Sequence, residues 1–401
     1  MHACIPCYHF VGVGLQRSKL RSLLPIVISS SSPSSSPSSS SSSSSSSFST
    51  PSSTINRLLP IPSPRAPRVA QATRGSFKNM AVKAASPNGK PHVLMMALLM
   101  PYLRDSLESK FNLLPLWEQS NKDEYLASVA DCVRAVVTST NSVVDAKLLE
   151  KLPKVEIVSS FSVGTDKVDV AYCKERGIAV TNTPDVLTDD CADLAIALLL
   201  TTMRQICSAD RYVRKGCWPK QGDYPLSYKM SGKDLGIVGL GRIGKAVAKR
   251  AEAFGCKIKY YARSDKKDVP YEYYGSVLEL AKNSDMLVVC CAFTKETAKI
   301  IDKRVLDALG PEGFLVNISR GGVVDEPELV KALLECRLGG AGLDVYENEP
   351  HVPQELWNMD NVVLLPHVAS GTLDTRRAMA DLVSGNLEAH FSGKPLFTPV
   401  T

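Results

Sequence analysis

The chain has 401 residues, with 47 Lys and Arg against 41 Asp and Glu, a length that suits two or three domains. The formal charge of +6 comes from the N-terminus: residues 1–79 hold eight of the basic residues and no acid, leaving 39 basic against 41 acidic residues, a net of −2. That near-neutral remainder carries no electrostatic footprint for nucleic acid or a membrane surface, and neither is expected as a partner.

The first acidic residue of the chain is Asp105, and Ser29 to Ser53 is almost entirely Ser with some Pro. Such a segment has too little apolar surface to fold. A Ser-rich, Arg-bearing, acid-free leader has the composition of an organelle transit peptide. Two readings stand: residues 1–79 direct the chain to the chloroplast, or the chain starts in effect at Met80 and is cytoplasmic. Cys4 and Cys7 form a Cys-x-x-Cys inside that leader, and the eleven cysteines show no metal-ligand spacing. No metal is expected, and the pattern fits a reducing compartment. Leu194 to Met203, the most apolar segment, is too short to span a bilayer.

From Pro91 short apolar runs alternate with amphipathic stretches. Strands are expected at Val93–Met100, Leu113–Trp117, Ala135–Thr138, Val155–Ser159 and Ile178–Val180. Helices are expected at Tyr102–Phe111, Asp123–Cys132 and Asp145–Leu152. Asp189–Arg204 reads as a long apolar helix, and residues 215–231 as a loop region. Six more strands follow, at Leu235–Leu240, Ile258–Tyr261, Met286–Cys291, Phe314–Ile318, Ala341–Val345 and Val362–Leu365. Between and after them come helices such as Glu326–Cys336 and the long Leu373–Phe391. This alternation implies parallel sheets with helices on both faces. Residues 90–184 and 370–401 form one expected domain and 185–369 the other, with the last helix returning to the first.

The run Leu235 to Leu240 leads into Gly239, Gly241 and Gly244 and then a helical pattern from Arg242. A Gly-x-Gly-x-x-Gly in a strand-turn-helix context is a dinucleotide fingerprint. Gly239 allows the turn, Gly241 lets the backbone approach a pyrophosphate, and Gly244 lets helix and strand pack closely. At the end of the next strand an acid would hold the ribose 2′-OH of NAD, whereas an Arg accommodates the 2′-phosphate of NADP. Here Arg263 stands nineteen residues after Gly244, and Asp265 comes later, among Lys266 and Lys267. The expected cofactor is therefore NADP(H), with NAD(H) weaker.

Arg320, Asp344, Glu349 and His367 follow successive strands of the nucleotide domain and should converge at one sheet edge. Together they read as an anion clamp, an acid and its orienter. In the first domain, small residues at Ser162 to Gly164 follow a strand end, where free N–H groups suit a carboxylate. Asp166 in the same loop also suits an ordinary Asx turn.

The stretches Asn317-Ile-Ser-Arg320-Gly, Gly342-Leu-Asp344-Val-Tyr-Glu347-Asn-Glu349-Pro and Leu365-Pro-His367-Val resemble the signatures of the D-isomer-specific 2-hydroxyacid dehydrogenases. Asn182-Thr-Pro184 and Ser162-Val-Gly-Thr-Asp166 are similar to that family's substrate-domain motifs. The resemblance runs from about Pro91 to Val400. It is strongest to the plant branch that reduces glyoxylate, hydroxypyruvate and hydroxyphenylpyruvate with NADPH. It departs at Ala292-Phe293-Thr294, where the family often has Pro-Leu-Thr, and at Thr165, where this branch often has a bulkier apolar residue.

The resemblance implies two doubly wound α/β domains, a Rossmann nucleotide-binding domain and a flavodoxin-like substrate domain, with the active site in the cleft. It implies a homodimer that reduces small 2-oxo acids to D-2-hydroxy acids. The cofactor would lie along Gly239, Leu240, Gly241, Arg242, Ile243 and Gly244, past Ala262, Arg263 and Ser264, and against Ile318 and Ser319, with Asp344 on the nicotinamide carboxamide. Arg320 and the amides of Val163 and Gly164 would bind the substrate. His367 would protonate the carbonyl oxygen, with Glu349 orienting its ring. Two other functions share these features. A phosphoglycerate dehydrogenase would usually carry a regulatory extension, whereas 34 residues follow His367. A non-catalytic nucleotide sensor would not need the complete Arg320, Glu349 and His367 set.

Overall fold

The computed structural model describes residues 89–400; the leader, with Cys4, Cys7 and Met80, lies outside the described residues. Two parallel sheets organise the rest. The first contains β1 (His92–Met95), β2 (Asn112–Pro115), β3 (Val133–Thr138), β4 (Ile157–Ser160) and β5 (Ala179–Thr181), in the order β2-β1-β3-β4-β5. The second contains β6 (Asp234–Val238), β7 (Lys257–Tyr261), β8 (Glu272–Tyr274), β9 (Met286–Val289), β10 (Phe314–Asn317), β11 (Gly340–Leu343) and β12 (Val362–Leu364), in the order β12-β11-β10-β9-β6-β7-β8. The first order is the flavodoxin-like one; the second, counted within its own sheet, is the Rossmann order with a seventh strand added. The expected pair of doubly wound α/β domains is what the chain forms.

The central strands are short runs rich in Val, Leu and Met, and β4, β9 and β10 are buried at every position. Strands covered by helices on both faces have that character, because neither face meets water. The helix Thr188–Met203 packs on the helix Arg242–Glu252 and on β10 and β11. The last helix, Leu373–Phe391, packs on the helix Pro101–Glu108 and on β4. One apolar core runs from Val93 and Ile157 through Leu199 to Leu235 and Val316.

The structure departs from the sequence reading in four places. The second sheet has seven strands rather than six: β8 is a three-residue edge strand, Glu-Tyr-Tyr, that is nowhere fully buried. Two helices, Ile206–Arg214 and Trp218–Gln221, follow a left-handed turn at Gln205 (φ 50°), so part of the expected loop 215–231 is helical. A short helix at Val170–Glu175 had no strong apolar period to reveal it. The strand β1 stops at Met95, and Leu98 to Met100 run past the sheet edge until Pro101 opens a helix at its first turn. No single helix among the described residues is long and apolar enough to cross a membrane; the pair Thr188–Met203 and Ile206–Arg214 passes only jointly, with a 59° bend.

Candidate active site

Because both sheets are parallel, every strand of a sheet ends at the same edge. Gly239 follows β6 and Cys290 follows β9, at the point where the strand order reverses, which is where open α/β sheets hold ligands. Gly239 has φ 99°, and a Cβ there would fall 2.6 Å from the backbone of Cys291. A Cβ at Gly244 would lie 2.3 Å from the Gly239 carbonyl oxygen, whereas nothing stands within 4 Å of one at Gly241. The turn is therefore closed by Gly239 and Gly244 and open at Gly241. The amides of Arg242, Ile243 and Gly244 have no acceptor among the described residues. A helix N-terminus with unsatisfied amides suits a pyrophosphate. Leu240 is buried in the core. Ile243 lines the cleft, and Arg242 Nε lies 2.6 Å from Asp185 Oδ1.

The strand β7 leads into Ala262, Arg263 and Ser264. Arg263 and Ser264 are exposed, and Arg263 has no hydrogen bond or ion pair among the described residues. The buried Tyr260 organises the turn that follows: its hydroxyl accepts from the Lys266 amide at 2.7 Å and donates to Asp265 Oδ1 at 2.8 Å. Asp265 also pairs with Lys267. The hydrogen bond from Lys267, then that from Tyr260, holds the Asp265 carboxyl below its ordinary range. Both acids of this turn are thus paired, Asp265 with Lys267 and Asp268 with Lys245, and Arg263 has neither as an ion-pair partner.

His367 follows β12 in a left-handed conformation (φ 54°), unusual for a non-glycine residue. Its Nδ1 lies 2.8 Å from Glu349 Oε2, and the two side chains are 27% and 23% exposed. The other oxygen of Glu349 accepts from the Tyr346 amide at 3.2 Å. Burial pushes the Glu349 carboxyl up, but the hydrogen bond and charge of His367, with the Tyr346 amide, bring it below its ordinary value. An ionised Glu349 requires a proton on Nδ1 and leaves Nε2 to act in the cleft.

Asp344 is fully buried, and its oxygens accept from the amides of Val368 at 2.7 Å and Ala369 at 2.9 Å. Its carbonyl accepts from the His367 amide at 2.8 Å. Burial raises the Asp344 carboxyl, partly offset by those two amides. Its expected place was against a nicotinamide carboxamide. Both of its side-chain oxygens fasten the backbone just after His367.

Arg320 follows β10 through Ile318, which is buried, and Ser319. Asn317 shapes this loop: its Oδ1 accepts from the Ser319 amide and hydroxyl at 3.0 Å, and its Nδ2 donates to the Arg320 carbonyl at 2.9 Å. Across the cleft, the Ser162 hydroxyl donates to the Gly164 carbonyl at 2.6 Å, and the amides of Val163 and Gly164 have no acceptor among the described residues. Val163, Gly164, Arg320 and His367 line one cavity of about 850 Å³, walled on its apolar side by Leu98, Leu99, Met100 and Met379.

The sequence reading missed Arg376. It projects from the last helix into this cavity, stacks 5.6 Å from the Phe161 ring and has no side-chain acceptor among the described residues. Burial pushes its guanidinium down. No spacing to the catalytic residues marks it along the chain. Asp166, in the loop that also suits an Asx turn, pairs with Arg320. Among the described residues, no group of three or more His, Cys, Asp or Glu is arranged to hold a metal.

Fold and site together define a two-domain dehydrogenase with a dinucleotide fold and an acid-base pair at its cleft. The profile of the D-isomer specific 2-hydroxyacid dehydrogenase, NAD binding domain, matches residues 196–369. A hydroxyphenylpyruvate reductase of Plectranthus scutellarioides is 61% identical over 308 residues, 77% of this chain and 98% of that protein. Glyoxylate/hydroxypyruvate reductase A of Arabidopsis thaliana is 60% identical over 308 residues, with the same coverage of each. Among solved structures, the NADPH-dependent glyoxylate/hydroxypyruvate reductase of Sinorhizobium meliloti in complex with NADP and malonate is 42% identical. It has a TM-score of 0.74, covering 78% of this chain and 97% of that one. The chain belongs to the D-isomer specific 2-hydroxyacid dehydrogenase family.

Proposed function

We propose that this protein reduces small 2-oxo acids to D-2-hydroxy acids with NADPH. The observation that carries the reading is the Glu349–His367 pair in the same cavity as Arg320 and two unsatisfied backbone amides. NADPH, when bound, supplies the hydride. The amides of Val163 and Gly164 and the guanidinium of Arg320 hold the substrate carboxylate and orient the keto carbon. His367 Nε2 donates its proton to the keto oxygen as the carbon is reduced, and Glu349 balances the imidazolium charge before that transfer. Arg376, half-buried and without a side-chain acceptor among the described residues, adds a second positive group to the cavity.

The amides at Arg242 to Gly244 would hold the pyrophosphate, and Arg263 the 2′-phosphate. NADPH preference rests on Arg263 being free while Asp265 is tied to Tyr260 and Lys267. Glyoxylate and hydroxypyruvate fit the polar end of the cavity. The wall of Leu98, Leu99 and Met100 favours a second substrate, 4-hydroxyphenylpyruvate, whose ring would lie against it. Purified protein with NADPH and each acid in turn should consume NADPH and yield the D-hydroxy acid. No turnover with any of the three would refute the proposal.

A homodimer is part of the same reading. Ile206, Val213, Trp218, Leu226 and Tyr228 are all exposed on one stretch of chain, an apolar concentration that suits an interface between copies. Molar mass by light scattering tests it, and a monomer at micromolar concentration would exclude it. The acid-free leader supports chloroplast import; a fluorescent fusion that stays in the cytosol would exclude that.

A further inference from the structure

Arg320 and Asp166 lie 154 residues apart in sequence and on opposite sides of the cleft. Arg320 Nε donates to Asp166 Oδ1 at 3.1 Å, and Nη2 lies 3.1 Å from the same oxygen. Nη1 donates to the Ser319 carbonyl at 2.8 Å. The pair is sheltered, with side chains 23% and 16% exposed. The other arginine-to-aspartate pair at the cleft, Arg242 with Asp185, is 68% and 64% exposed. Only the sheltered pair escapes most of the solvent screening that makes surface ion pairs weak.

We propose that Asp166 is a positioning residue that assembles the carboxylate site by docking Arg320 across the cleft. This rests on the reading of Arg320 as the carboxylate anchor. Two further observations support it. A Cβ at Gly164 would fall 2.1 Å from Arg320 Nη2 and 2.6 Å from Asp166 Oδ1. The guanidinium therefore lies directly against the segment whose Val163 and Gly164 amides are unsatisfied, and the ion pair brings the two halves of one anion cradle together. The donor count also permits shared use. Arginine has five N–H groups; Asp166 engages the Nε and Nη2 edge and the Ser319 carbonyl one hydrogen of Nη1, and each terminal nitrogen keeps a hydrogen without an acceptor among the described residues. A substrate carboxylate can be gripped with Asp166 still in place, so Asp166 orients the fork and does not compete for it.

The test uses the full chain and glyoxylate as probe. Wild type, D166A, D166N, R320A and the D166A/R320A double variant are compared for kcat and KM, and for NADPH affinity by fluorescence titration. Losing the charge-assisted contact should raise the KM for glyoxylate about tenfold or more in D166A. NADPH affinity should stay within about twofold and kcat within a few-fold. D166N, which keeps an acceptor but no charge, should fall between, and it carries the test if D166A does not fold. In the R320A background, D166A should change nothing further. An unchanged or lowered KM in both Asp166 variants, with R320A raising it, would overturn this inference alone. An unchanged KM in R320A would overturn the anchor assignment and this inference together.

Discussion

The hydroxyl of Tyr346 lies 3.0 Å from the carbonyl oxygen of Leu365, two residues before His367, while the amide of the same tyrosine donates to Glu349 at 3.2 Å. One buried residue therefore touches both arms of the acid-base pair. Tyr346→Phe removes the first contact and keeps the second. A single neutral hydrogen bond of this kind contributes about 1 kcal/mol, so the melting point should fall by a few degrees. The kcat should fall several-fold with KM for NADPH unchanged, because the loosened segment carries His367 and not the cofactor turn. A kcat equal to wild type would show that this contact does not position the histidine.

Arg263 stands free at the end of β7 while Asp265 is occupied by Tyr260 and Lys267. Arg263→Ala should raise the KM for NADPH by about tenfold or more, the worth of a charge-assisted hydrogen bond to phosphate. The KM for NADH should barely move, since NADH has no 2′-phosphate. Equal changes for the two cofactors would refute the role given to Arg263.

The succession of strands along the chain and the glycine turn were legible because most strands of the second sheet are short apolar runs, β7 (Lys-Ile-Lys-Tyr-Tyr) and β8 excepted, and the turn needs glycine for steric reasons. The positions of Arg320, Glu349 and His367 just past strand ends followed from the same pattern. The edge strand β8 was not legible, since an exposed Glu272 and two half-buried tyrosines leave no apolar period. The helix Ile206–Arg214 buries only Ser208, so no core contact marked it in the pattern. Arg376 and the Asp166–Arg320 pair depend on residues brought together by the return of the last helix and by the meeting of the β4–β5 and β10–β11 loops across the cleft. No local spacing encodes them. Asp344 shows a different limit: its place after β11 was visible, but which groups its oxygens meet depends on how the His367 segment bends back.

The Glu349 carboxyl lies below its ordinary range in the folded chain, with burial opposed by the hydrogen bond and charge of His367. A carboxylate whose folded value is depressed contributes stability above its unfolded value, near pH 4.3, and loses it as pH falls through the folded value. The difference in melting point between wild type and Glu349→Gln should therefore be largest near neutral pH and shrink in the acid range below about pH 4. A difference that grows on acidification would reverse the sign assigned here.

His367 delivering the proton to a bound 2-oxo acid is the step on which the rest depends, and turnover by His367→Ala with NADPH and glyoxylate is the measurement that probes it. General acid-base catalysis contributes about 10² to 10⁴ in rate. The variant should lose kcat in that range at pH 7 with NADPH affinity retained. A variant that turns over at the wild-type rate would contradict it.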